Sequence, residues 1–135
     1  MLKDKIMEYY ITRGLRCAEA VVYAANDVYN LQLPRESIAM ITGFSGGMCG
    51  SGEACGLLSG GVAVLGRMFY EKLGPDFAPA VAEFHRRFAE EFGAAACPPV
   101  KERYATPEAR CSAVVGPFAK LLEETVAALQ AKCGE

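Results

Sequence analysis

Between Glu53 and Leu73 the chain carries Leu57, Leu58, Val62, Val64, Leu65, Met68 and Phe69, enough to cover most of the circumference of one helix. A helix apolar on nearly every side is stable only at the centre of a fold, with other elements packed around it. The flanking segments have helical spacing too. Leu2, Ile6, Tyr9 and Tyr10 suit a short first helix that Gly14 breaks. Cys17, Val21, Ala24 and Val28 form a stripe on one helical face, ended by Asn30. Pro34 suits the first turn of another helix, with Ile38 and Ile41 inward. After Gly74-Pro75-Asp76, the stripe Val81, Phe84, Phe88 and Phe92 has Glu83, Arg86, Arg87, Glu90 and Glu91 outside it and Gly93 as its stop. Cys97-Pro98-Pro99 reads as a rigid turn. Thr106-Pro107-Glu108 reads as a helix start, with Cys111, Val114, Val115, Phe118, Leu121, Leu122, Val126 and Leu129 carrying the last helix toward Cys133. No segment alternates as a strand does. The expectation is an all-α fold: residues 1–135 as a single-domain bundle of about five helices around a buried central one.

Charge and composition exclude several classes. Lys and Arg total 14 against 16 Asp and Glu, a net charge of -2 with no basic run, so no face could displace counterions from nucleic acid. A chain that is 52% hydrophobic builds a core and is not a disordered tail. The longest apolar stretch, Ala54 to Leu65, is interrupted by Gly56, Ser59, Gly60 and Gly61 and falls short of the roughly 20 residues of a spanning helix, so membrane insertion is not expected. Met1-Leu2-Lys3-Asp4-Lys5-Ile6 shows charges with no apolar region behind them, and the expected location is cytoplasmic. A homodimer is compatible with the apolar content, but no seam stands out.

The six cysteines are the compositional outlier. In a reducing compartment they point to redox or metal chemistry before structural disulfides. Cys55 is the most suggestive: it falls in the first turn of the central helix, behind Gly43, Gly46, Gly47, Gly50 and Gly52. Unpaired N–H groups and the positive dipole end at a helix start favour a thiolate. Against that stands the reading of Cys55 as a small buried core residue. Cys17 and Cys111 also fall near helix starts, which suggests a shared pocket at one end of a bundle. Cys97 lies at a turn, and Cys49 sits in the glycine loop, where a bridge to Cys55 is sterically conceivable. Cys133 shares a face with Leu129 and reads as structural. There is no Cys-x-x-Cys, no ferredoxin run and no haem-attachment motif. Gly50-Ser51-Gly52-Glu53-Ala54-Cys55 begins like a dinucleotide fingerprint but has Cys55 in place of the third glycine and no strand before it. His85, the only histidine, reads either as a base or iron ligand or as a boundary residue, and Glu53 as a dipole partner or a proton acceptor for Cys55. Gly56 and Gly60, four apart on one face, allow a close backbone or a flat ligand.

The order Cys17-Ala18-Glu19-Ala20-Val21, then Cys55-Gly56-Leu57-Leu58-Ser59-Gly60, then Cys97 and Cys111, resembles the C_GCAxxG_C_C redox-active proteins and, through them, part of the split-Soret cytochromes. Leu57 stands where that family has alanine. The resemblance implies that Cys17, Cys55, Cys97 and Cys111 are the family's four cysteines and that Gly56 and Gly60 are its motif glycines. Three readings follow. The first is a thiol–disulfide protein with Cys55 as the reactive thiol, a second thiol such as Cys49 resolving it, and an unidentified redox partner. The second is binding of zinc, an iron–sulfur cluster or a non-covalent haem by the same cysteines, with the haem against Gly56 and Gly60. The third is a helical interaction module with core cysteines.

Overall fold

The computed structural model describes all 135 residues. The chain runs through α1 (Leu2–Met7), α2 (Cys17–Tyr29), α3 (Arg35–Ala39), α4 (Ser45–Gly50), α5 (Gly56–Leu73), α6 (Phe77–Phe92), α7 (Cys97–Tyr104) and α8 (Ser112–Lys132). A π-helical turn, Glu8–Thr12, extends α1. No strand forms, and only two isolated bridges occur, Ala54 with Ala96 and Thr106 with Arg110. The fold is all-α. No helix is long and apolar enough to cross a membrane.

α5 is the central helix the pattern predicts. Its glycines set how close the neighbours come. A Cβ on Gly60 would lie 2.8 Å from the Ala18 carbonyl oxygen and 3.0 Å from the Val21 Cβ, so α2 crosses there at backbone distance. On the adjoining face, a Cβ on Gly61 would meet the Phe84 ring of α6 at 2.9 Å and the Phe118 ring of α8 at 3.0 Å. Twenty-nine buried residues, drawn from every helix but α4 and from the segments between them, form one continuous cluster around this axis. Gly93 closes α6 with φ +81, as expected of a C-terminal glycine.

Six right-handed helices of at least six residues are present (α1, α2, α5, α6, α7 and α8), where about five were expected. The difference arises near the C-terminus. Cys97-Pro98-Pro99 is not a turn but the first turn of α7, where prolines lack only an N–H that has no helical partner. Thr106-Pro107-Glu108 does not start the last helix. The Thr106 hydroxyl instead accepts the Ala109 N–H at 3.0 Å and closes a short turn. Arg110 then takes a left-handed φ of +54, so α8 begins only at Ser112. A tertiary contact wins over the local capping pattern: the Arg110 guanidinium donates to the carbonyls of Tyr10 at 2.8 Å and Leu15 at 3.3 Å. The central helix likewise starts at Gly56 rather than near Glu53, and Cys55 is its N-cap.

α4 winds the other way. Gly46, Gly47, Met48 and Cys49 have φ of +67, +69, +60 and +55. Left-handed winding costs roughly 1–2 kcal/mol for each residue with a Cβ, so the strain falls on Met48 and Cys49. Local bonds hold the turn: Ser51 N–H and Glu53 N–H each donate to the Gly47 carbonyl at 3.1 Å, and the Ser51 hydroxyl donates to the Met48 carbonyl at 2.8 Å.

Candidate functional site

The four cysteines of the sequence pattern line one cavity of about 520 Å³. Each stands at the start of a different helix. Cys17 and Cys97 are the first residues of α2 and α7, and Cys55 and Cys111 are the N-caps of α5 and α8. The cavity is thus ringed by four helix N-termini, whose positive dipole ends favour negative charge.

Local backbone contacts bring these ends together. Cys55 N–H donates to the Ala95 carbonyl and Cys97 N–H to the Glu53 carbonyl, each at 2.7 Å, so the Ala54–Ala96 bridge ties two cysteine-bearing segments. Ser45, the one buried polar residue, accepts the Ala18 N–H on its hydroxyl at 3.1 Å and so caps α2 from outside. The next residue, Gly46, donates its N–H to the Cys17 sulfur at 3.4 Å. Gly47 is packed so tightly that a Cβ would come 2.6 Å from that of Cys97. Only glycine fits there, on steric and conformational grounds alike.

Three cations, Arg16, Lys101 and Arg110, also line the cavity, and no carboxylate does. None of the three belongs to an ion pair with an acid. Arg110 is fixed, its guanidinium 3.9 Å from the Tyr10 ring centroid. Arg16 and Lys101 are exposed at the rim.

Burial opposes ionisation of three of the cavity thiols, Cys55, Cys97 and Cys111. The Cys55 thiol is pushed up to about 12, chiefly by burial; the N–H groups of Leu57 and Leu58 pull the other way, as expected at a helix start, and are outweighed. Cys97 and Cys111 are raised too, again mainly by burial, with Cys17 adding to both; Lys101 opposes the shift at each, and the Tyr10 hydroxyl opposes it at Cys111.

The remaining candidates lie elsewhere. Cys49 is exposed on the left-handed turn, its thiol directed to the Gly43 carbonyl at 3.5 Å, and it does not line the cavity. All six cysteines are free thiols, so no Cys49–Cys55 bridge is formed. Cys133 caps the end of α8 and packs against the core. Neither Glu53 nor His85 lines the cavity; His85 borders a separate apolar groove with Ile41 and Phe44. Gly56 lines the cavity, whereas Gly60 faces α2. Of the two uses of this glycine face, the close backbone is the one found, and α2 fills the space a flat ligand would need.

Sequence reasoning missed Tyr10, Arg16, Ser45, Lys101 and Arg110. Adjacency held a clue, since Arg16 precedes Cys17, Arg110 precedes Cys111, and Lys101 lies one helical turn beyond Cys97.

Residues 15–125 match the family described as "Putative redox-active protein (C_GCAxxG_C_C)". The chain belongs to the C_GCAxxG_C_C family. The match spans all four cavity cysteines and Cys49, and leaves out Cys133. No curated protein and no solved structure matches the chain. The family is described as redox-active, and the four cysteines that line the cavity are the candidates to carry such chemistry.

Proposed function

We propose that Cys17, Cys55, Cys97 and Cys111 form one redox centre, in which four thiolates hold an iron–sulfur cluster and the protein carries electrons. The observation that supports this most is the convergence of four cysteines, four helix N-termini and three cations on one cavity without a carboxylate. Four thiolates are the usual ligand complement of such clusters. Their charge is what the helix ends and cations would offset.

The raised thiols favour this reading over a lone activated Cys55 nucleophile. A thiol pushed up to about 12 is almost wholly protonated near neutrality, whereas a metal-bound thiol is deprotonated outright. The spread of the donors matters as well. No three His, Cys, Asp or Glu side chains stand close enough to hold a single metal ion, which argues against a mononuclear zinc site. A cluster distributes its thiolates over separate irons and tolerates a wider spread. Bound in the cavity, it would supply one-electron transfer.

One observation supports a thiol–disulfide alternative. The Cys17 sulfur rests against Gly56, the neighbour of Cys55. In this reading Cys17 and Cys55, which do not stand at disulfide distance, would move together and close a disulfide, giving two electrons and two protons to an external disulfide. Anaerobic purification, followed by reconstitution with ferrous iron and sulfide, tests both. The cluster reading expects stoichiometric iron and sulfide, with visible absorption that bleaches on reduction. Colourless, iron-free protein in which two thiols become trappable only after reduction would overturn it in favour of the disulfide.

A further inference from the structure

Tyr10 is 3% exposed, yet its side chain borders the cavity and it is the only aromatic residue that does. It is fixed from three directions. Its hydroxyl oxygen accepts the Cys111 backbone N–H at 3.1 Å. Its ring lies under the Arg110 guanidinium at 3.9 Å. Its carbonyl accepts from that same guanidinium at 2.8 Å. These bonds span about a hundred residues of chain and join the end of α1 to the residue that caps α8. They also hold Arg110 at φ +54, a conformation costly for a residue with a Cβ, which persists only where surrounding contacts over-determine it.

A hydroxyl that accepts one hydrogen bond still has its own proton to place. The Cys111 sulfur is three bonds from the amide nitrogen held by the Tyr10 hydroxyl, and both residues line the cavity, which makes this sulfur the nearby acceptor for the phenolic proton. We infer that Tyr10 is a positioning residue of the redox centre: it seats Cys111 through the backbone N–H and donates its phenolic proton in a hydrogen bond to the Cys111 sulfur. Arg110 holds the ring in place. The inference rests on Cys111 belonging to the centre. Hydrogen bonds to ligand sulfurs stabilise the more negative, reduced state of a cluster and raise its potential.

Tyr10→Phe removes the hydroxyl and keeps the ring under Arg110. In metal-free protein, hydrogen exchange of the Cys111 amide should accelerate by about tenfold, the equivalent of one net hydrogen bond. In reconstituted protein, the midpoint potential should fall. Fluorotyrosine placed at position 10 serves as the second variant and covers any folding failure of the first. As a stronger donor to sulfur it should raise the potential, and as a weaker acceptor it should speed Cys111 exchange modestly. Unchanged Cys111 exchange together with unchanged potential in a folded variant would overturn the inference and leave the cluster reading standing. A wild-type protein that takes up no cluster would overturn that reading instead, while the amide measurement still decides whether Tyr10 seats Cys111.

Discussion

The sulfur of Cys17 rests on the bare Cα of Gly56, so that a Cβ there would collide with it and would also come 3.0 Å from the Ser45 Cα. The motif glycine that follows Cys55 is therefore part of the cavity wall. It makes room for a thiol from another helix.

Gly56→Ala should displace both Cys17 and the Ser45 loop. Overpacking of this kind costs typically 1–3 kcal/mol, about what urea unfolding should register. It should also abolish cluster retention. Gly60→Ala is the comparison, because its Cβ would strike the Ala18 carbonyl at 2.8 Å on the side facing α2. It should lose similar stability while the part of the variant that folds keeps its cluster. Equal loss of the cluster in both would show that Gly56 has no special relation to the centre.

Alkylation of the metal-free, reduced protein should follow exposure and ionisation together. Cys49, exposed on the left-handed turn, should be labelled first, and Cys55, buried and pushed up to about 12, last. Peptide mapping after brief treatment with iodoacetamide reads the order. Early labelling of Cys55 would restore it as an activated nucleophile.

The same burial makes the metal-free protein sensitive to alkali. Cys55 rises from an ordinary 9.0 to about 12, and Tyr29 from 10.0 to about 12, mainly through burial in both cases. Below the unfolded values both states hold these protons, and the stabilisation is complete. Between about 9 and about 12 the unfolded chain releases them first, so it binds fewer protons and stability falls as pH rises. Urea midpoints measured from pH 8 to pH 11 should decline, with a shallower decline in Cys55→Ala.

Lys101 opposes the upward shift of both Cys97 and Cys111. Lys101→Gln should therefore move the alkylation profiles of both thiols to higher pH, and in the reconstituted protein it should lower the midpoint potential. Profiles that coincide with wild type would mean that solvent screens the rim charge.

Much of the fold was legible because its evidence is local and repetitive. The all-round apolar character of α5 required neighbours on several sides, and the stripes ending at Asn30 and Gly93 are closed by left-handed residues in the structure. The grouping of Cys17, Cys55 and Cys111 at one end of a bundle was also readable, from their places near helix starts. What local pattern could not supply came from contacts distant in sequence. Thr106 carries a good capping signal, but Arg110 is drawn to Tyr10 and Leu15 and the helix is delayed to Ser112. The expectation for Cys55 had the right physics with the wrong balance. The helix N–H groups do favour its thiolate, but burial, which depends on every neighbour at once, outweighs them.

The central claim is that four cysteines, and not six, act as one centre. Iron and acid-labile sulfide should be measured after anaerobic reconstitution in wild type and in the six single variants Cys17→Ser, Cys55→Ser, Cys97→Ser, Cys111→Ser, Cys49→Ser and Cys133→Ser. The account expects cluster content to drop sharply in the first four and to match wild type in the last two. Full retention in any of the first four, or loss in Cys49→Ser equal to theirs, would contradict it.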